Sequence, residues 1–183
     1  MNNLLDINNS LFLIIDVQEK LINAQFEKEK IAKNVAILTE AANILKIPTV
    51  VSEQYPKGLG PTIAQVKEKL SADTKFFEKT SFSCCKEESF FELLKSFNKK
   101  QIIVCGMESH VCMHQTVNNL LAEGYEVHII QDAITSRKEW EYKTGLQRMI
   151  SSGAVPSSVE MALFELLKNA RHPDFKAVQN LIK

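Results

Sequence analysis

Short unbroken apolar runs alternate along this chain with longer segments in which apolar residues return every three or four positions. Leu11–Ile15 (LFLII) is too continuous for a half-exposed strand, so it predicts a central strand of a sheet covered on both faces. Ile31, Val35, Leu38, Ala42 and Leu45 then recur at helical spacing, and Pro48 forbids continuation, which sets a first helix over Glu27–Leu45. Ile47–Val51 supplies a second strand, and Ser52–Pro61 reads as a Pro/Gly-rich loop of the length that often walls a pocket. A short helix is expected near Ile63–Leu70, and a weak third strand over Thr74–Glu78, closed by Lys79. Glu88–Phe97 is the next helix, with Phe90, Phe91, Leu94 and Phe97 apolar, and Gln101–Cys105 (QIIVC) the fourth strand.

The second half repeats the pattern. Gly106 permits a turn, and Val111, Val117, Leu120 and Leu121 share most of one helical face before Gly124 stops it. Glu126–Ile130 is a fifth strand with Asp132 just past its end, Ser136–Ser152 a helix stopped by Gly153, and Ala154-Val155 a brief sixth strand. Ser157 and Glu160 have capping-box spacing, so a helix starts there and ends at His172-Pro173-Asp174, leaving Phe175–Ile182 as an amphipathic tail. Strand–helix alternation throughout predicts one α/β domain over residues 1–183, a three-layer doubly wound sandwich around a six-stranded parallel sheet of order 3-2-1-4-5-6. With that order the topological switch lies between strands one and four, where such sheets bind ligands.

Composition narrows the class. Among 183 residues, 22 basic and 22 acidic side chains balance and are spread along the chain, which argues against nucleic acid or an anionic membrane as partner. No apolar run approaches a membrane span, and the start from Asn2-Asn3 to Ser10 is too polar for a signal peptide, so a cytoplasmic protein is expected. Four cysteines (Cys84, Cys85, Cys105, Cys112) are too few for a disulfide framework and lack CxxC spacing.

Chemistry gathers at strand ends. Cys112 falls in the first turn of the helix after strand four, where free N–H groups and the helix dipole stabilise a thiolate and an oxyanion beside it. Asp16 stands at the carboxyl end of strand one and Lys79 at that of strand three. A carboxylate that takes the thiol proton and later returns it to a leaving group, with an ammonium favouring the charged states of both, makes a self-consistent nucleophile.

The strand ending in Asp16-Val17-Gln18, Lys79 ahead of Ser81-Phe82-Ser83, and Gly106-Met107-Glu108-Ser109-His110-Val111-Cys112 together resemble the isochorismatase-like cysteine hydrolases, over nearly the whole chain. The resemblance implies Cys112 as nucleophile, Asp16 as general base and acid, and Lys79 as their electrostatic partner. It implies a cis peptide between Met107 and Glu108, and an oxyanion hole made by the N–H groups of Glu108 and Cys112. Gln18, Tyr55, Phe82 and Val111 are the candidate substrate contacts, and a homo-oligomer is the family habit.

Isochorismatases proper, which cleave a vinyl ether, typically lack the cysteine, so hydrolysis of a small amide or ureido compound through a thioester is the expected activity. Nicotinamidases of this family place an Asp and a His as metal ligands after the second strand. This chain has Ser52-Glu53-Gln54-Tyr55 there and its histidines (His110, His114, His128, His172) elsewhere, so neither a metal nor another cofactor is expected. The i, i+4 pair His110 and His114 is the remaining metal alternative, without an evident third ligand. Trp140 is expected to anchor a helix to the core or to a neighbouring subunit. A binding or assembly module on the same fold, and a thiol redox enzyme pairing Cys112 with Cys84 or Cys85, are the competing functions.

Overall fold

A computed structural model describes residues 3–183; Asn2, first of the polar residues at the chain start, lies outside them with Met1. The six strands β1 (Ser10–Ile15), β2 (Thr49–Gln54), β3 (Lys75–Lys79), β4 (Gln101–Met107), β5 (Glu126–Thr135) and β6 (Val155–Ser157) form one sheet of order β3-β2-β1-β4-β5-β6. Every pairing is parallel. Alternate residues of β1 feed two separate cores, as the two-sided burial of a parallel strand requires. Phe12 and Ile14 join Val35, Leu38, Ile103, Leu163 and Leu166 on the face covered by α2 (Lys28–Ile44) and α8 (Val159–Leu167). Leu11, Leu13 and Ile15 join Phe90, Leu94, Val117, Leu120 and Met149 beneath α5 (Glu88–Ser96), α6 (His114–Ala122) and α7 (Glu139–Ser151). The expected three-layer sandwich and its strand order are both present.

Several boundaries differ from the expectation, each for a local reason. β3 reads weakly in sequence because it is an edge strand whose residues alternate between exposed and buried, ending on buried Phe77 and Lys79. β2 runs on through Ser52, Glu53 and Gln54, where polarity had suggested a loop, since those side chains are buried or half-buried against neighbouring polar groups. β5 is twice its expected length. Its register against β4 jumps between Val104↔Ile129 and Gly106↔Ile134, so Asp132 sits in a bulge inside the strand, where its carboxylate accepts the Val159 N–H at the start of α8. Ser158, one residue later than expected, caps α8 by accepting the Met161 N–H, and the helix ends at Leu167 because Lys168 turns to φ +62°. Trp140 is no core anchor: it is 62% exposed, with the Lys138 ammonium 5.9 Å from its ring centre.

Two glycines let backbones touch near the carboxyl edge of the sheet. Gly106 has φ +120°, and a Cβ there would come 2.1 Å from the Ile15 carbonyl oxygen of the adjacent strand. Gly145 of α7 lies against the turn after β4, where a Cβ would come 2.5 Å from the Ser109 carbonyl oxygen.

Candidate active site

Three strand ends carry the predicted residues to one place. β1 ends as Asp16 takes a left-handed conformation (φ +54°), and its carboxylate is fully buried. β3 ends on Lys79, whose side chain is also wholly buried, and its Nζ lies 2.7 Å from Asp16 Oδ2. β4 ends at Met107; the Met107–Glu108 peptide is cis, and Ser109–Met113 forms a single π-helical turn in which the Met113 N–H donates to the Glu108 carbonyl five residues back. Cys112 is buried in that turn, just ahead of α6 rather than within it.

Each oxygen of Asp16 has a donor: Ser52 Oγ–H at 2.7 Å on Oδ1 and the Lys79 ammonium on Oδ2. Lys79 is surrounded by oxygens, donating to Asp16 Oδ2 and Gln54 Oε1 at 2.7 Å, the Phe82 carbonyl at 3.1 Å and the Ser81 carbonyl at 3.3 Å. Burial by itself pushes the Lys79 ammonium toward deprotonation, but the Asp16 carboxylate beside it, with smaller contributions from Cys112 and Cys84, leaves its pKa above the usual lysine value. Lys79 is therefore a fixed cation.

Cys112 corrects the picture of a thiol ionised by its helix start. Burial first, and the neighbouring Asp16 carboxylate second, push its pKa up to about 12, while Lys79 pulls the other way without reversing the outcome. At neutral pH Cys112 is thus a thiol beside the Asp16–Lys79 pair. Cys84 lies on the same side of the sheet with its N–H on Thr116 Oγ1; burial first, and Asp16 second, raise it to about 11 against the opposing pull of Lys79. All four cysteines are free.

The substrate-contact candidates separate. Gln18 is 0% exposed and saturated: Nε2 donates to the carbonyls of Gln54 and Gly60, and Oε1 accepts the Gln54 N–H. It clamps the strand ends together, buried away from solvent. Tyr55 and Phe82 are 56% and 57% exposed on the loops that follow β2 and β3, beside the Lys79 end of the site, and Val111 is half-buried in the π-turn itself. Glu108 turns its side chain to Arg137 Nε at 2.8 Å and Gln25 Nε2 at 3.4 Å. His110 faces Ser136 Oγ at 3.0 Å and Glu141 at 3.8 Å, a contact between the π-turn and α7 rather than a ligand pair with His114. Among the described residues no three His, Cys, Asp or Glu side chains gather as a metal site.

Ser52 and Gln54, which touch Asp16 and Lys79, were not among the sequence candidates. Their only signal was polarity at the carboxyl end of an otherwise apolar strand, which reads equally well as a loop. In the positions after the second strand where metal-binding relatives were expected to differ, Ser52 serves Asp16, Gln54 serves Lys79, and Glu53 accepts the Thr62 N–H and Oγ–H, both at 2.7 Å.

Comparison with known proteins places this geometry in context. Residues 10–161 match the Isochorismatase domain. "Isochorismatase domain-containing protein 2" of Danio rerio is 38% identical over 179 residues, covering 97% of this chain and 89% of that protein. "Secreted isochorismatase effector Isc1" of Phytophthora sojae is 35% identical, covering 96% and 85%. The solved structure described as MAR1 ribonuclease from Caenorhabditis elegans superposes with a TM-score of 0.92 at 38% identity, covering 97% and 91%.

Proposed function

The chain belongs to the isochorismatase domain family, and from that premise we propose that it is a cysteine hydrolase acting on a small amide or ureido compound, with Cys112, Asp16 and Lys79 as its catalytic residues. The observation that carries this reading is the 2.7 Å Asp16–Lys79 pair buried beside a protonated Cys112 thiol. A carboxylate held in a dry site next to a thiol can accept its proton, whereas burial and the Asp16 charge together disfavour a thiolate formed in advance. The proton therefore leaves as the bond forms.

In the first step Cys112 Sγ attacks the substrate carbonyl carbon while its proton passes to Asp16. The carbonyl oxygen becomes an oxyanion, received by the backbone N–H groups of Glu108 and Cys112. The tetrahedral intermediate collapses when the carbon–nitrogen bond breaks and Asp16 returns the proton to the departing nitrogen, releasing ammonia or an amine and leaving a thioester on Cys112. Water then attacks the thioester carbonyl, with Asp16 accepting its proton, and the carboxylic acid leaves as the thiol is restored. Lys79 keeps its charge throughout. Tyr55, Phe82 and Val111 are the side chains placed to meet the rest of the substrate.

The test is a panel of carboxamides and ureido compounds with ammonia release as readout. Turnover by the wild type that disappears in Cys112→Ala is the expected result. Wild-type protein inert across the panel, or turnover that survives Cys112→Ala, overturns the reading.

A further inference from the structure

Lys79 has three N–H protons and four oxygen neighbours, and only two of those contacts are short. One is the Asp16 carboxylate, which the proposed chemistry neutralises each time it takes the thiol proton. The other is Gln54 Oε1. The amide can face only one way: turned over, its NH₂ would meet the Lys79 ammonium and its oxygen would meet the Thr80 carbonyl, which now accepts Nε2–H at 2.8 Å. The backbone of Gln54 is held as firmly, since its N–H and its carbonyl both bond the Gln18 amide at 2.7 and 3.0 Å. Gln54 thus spans the ends of β1, β2 and β3 with its oxygen aimed at the ammonium.

We propose that Gln54 is a positioning residue that keeps the Lys79 ammonium charged and in place while Asp16 is protonated. A buried cation loses its compensation when its carboxylate becomes neutral, and an uncompensated buried charge is costly. A fixed amide dipole at 2.7 Å, with the carbonyls of Ser81 and Phe82 behind it, bridges that interval without offering a second base that would compete for the thiol proton. A neutral acceptor suits this duty better than a carboxylate would. This inference rests on the proposed role of Asp16 as the proton acceptor.

The test compares wild type with Gln54→Met, which keeps length and bulk but has no acceptor oxygen, and Gln54→Glu, which restores an oxygen. Steady-state kinetics on whichever amide the wild type turns over give the first readout. Gln54→Met is expected to lower kcat by about tenfold or more with KM within about threefold, and Gln54→Glu to recover part of that loss. Alkylation of Cys112 by iodoacetamide, followed by mass spectrometry at pH 8, gives a second readout that needs no substrate. Without that acceptor the ammonium is free to turn away from the thiol while Asp16 carries the proton, so Cys112 in Gln54→Met is expected to react at least about threefold more slowly than in wild type.

Thermal midpoints of all three proteins show whether a variant has merely unfolded. A loss of kcat that tracks a fallen midpoint in both variants assigns Gln54 a structural role and overturns the proposal, as do unchanged kcat and unchanged alkylation in Gln54→Met. Should wild type turn over no amide at all, the proposed chemistry fails on its own, and the alkylation rates still decide whether Gln54 supports Lys79.

Discussion

Asp16 meets conflicting demands. In the proposed chemistry it is buried beside the thiol, it needs a compensating charge there, and it must still be able to accept a proton. Ser52 and Lys79 supply the compensation through one bond to each oxygen, and the left-handed backbone of Asp16 points the carboxylate across the strand ends. A pair of this kind is expensive to break from one side, because the partner left behind is a buried charge. Lys79→Met is therefore expected to lower unfolding free energy by about 3–5 kcal/mol in urea titrations and to abolish turnover, with Asp16→Asn added to it restoring part of the stability but none of the activity. A loss below about 1 kcal/mol, the range of an exposed ion pair, would show that the pair is not in a dry environment. Asp16 and Cys112 stood out in sequence by position, and the three residues became specific only as a set. Lys79 needed its companions, since a lysine closing an edge strand is usually a solvated charge. Ser52 and Gln54 could not be found that way, because nothing local distinguishes a polar residue that caps a strand from one that serves a neighbouring strand.

Among the elements, the π-turn of Ser109–Met113 sets the position of Cys112, and it is held from outside by α7. The Gly145 position receives the Ser109 carbonyl and His110 N–H region at distances no Cβ tolerates, and His110 reaches Ser136 and Glu141 on the same side. Gly145→Ala is accordingly expected to push α7 and the turn apart, lowering stability by about 1–3 kcal/mol, the usual cost of overpacking. Turnover per folded molecule should fall as well; a variant with wild-type stability and wild-type kcat would show that this contact does not position the thiol. A glycine in mid-helix reads in sequence as a weak point of the helix. Its purpose is visible only when the backbone it touches, some 35 residues earlier in the chain, is in view. The same holds for β5, whose bulge brings Asp132 under the start of α8 and doubles the strand length that its apolar run suggested.

At the scale of the whole molecule, the sandwich also buries titratable groups that the site does not use, His128 among them. His128 lies on β5, 1% exposed, with neither ring nitrogen bonded among the described residues. Burial lowers its pKa below the usual histidine value, and Glu165 of α8 and Glu126 of its own strand offset that only in part. The unfolded chain therefore takes up a proton near pH 6.5 that the folded protein resists, so the contribution of His128 to stability is constant above about pH 7 and falls as pH drops below 6.5, by up to about 1.4 kcal/mol per pH unit. Urea unfolding at pH 7.5 and 5.5 is expected to show this decline in wild type and a markedly shallower one in His128→Leu; equal slopes would assign the acid sensitivity to other groups.

What the sequence determined by itself was the architecture, because unbroken apolar runs can be satisfied only by a sheet covered on both faces, and right-handed crossovers leave few orders for six parallel strands. It also placed Asp16 at the end of an apolar run and Cys112 in the turn after another, while Lys79 closed a strand with no such run. Tertiary structure alone decided the charge states and the supporting contacts. The Cys112 thiol is protonated because burial and Asp16 together outweigh the turn and Lys79 around it. Gln18 became a clamp and Gln54 the partner of the Lys79 ammonium because strands distant in sequence end side by side. Solvation and cross-strand hydrogen bonds depend on what lies opposite a residue in space, and that information is absent from its neighbours in the chain.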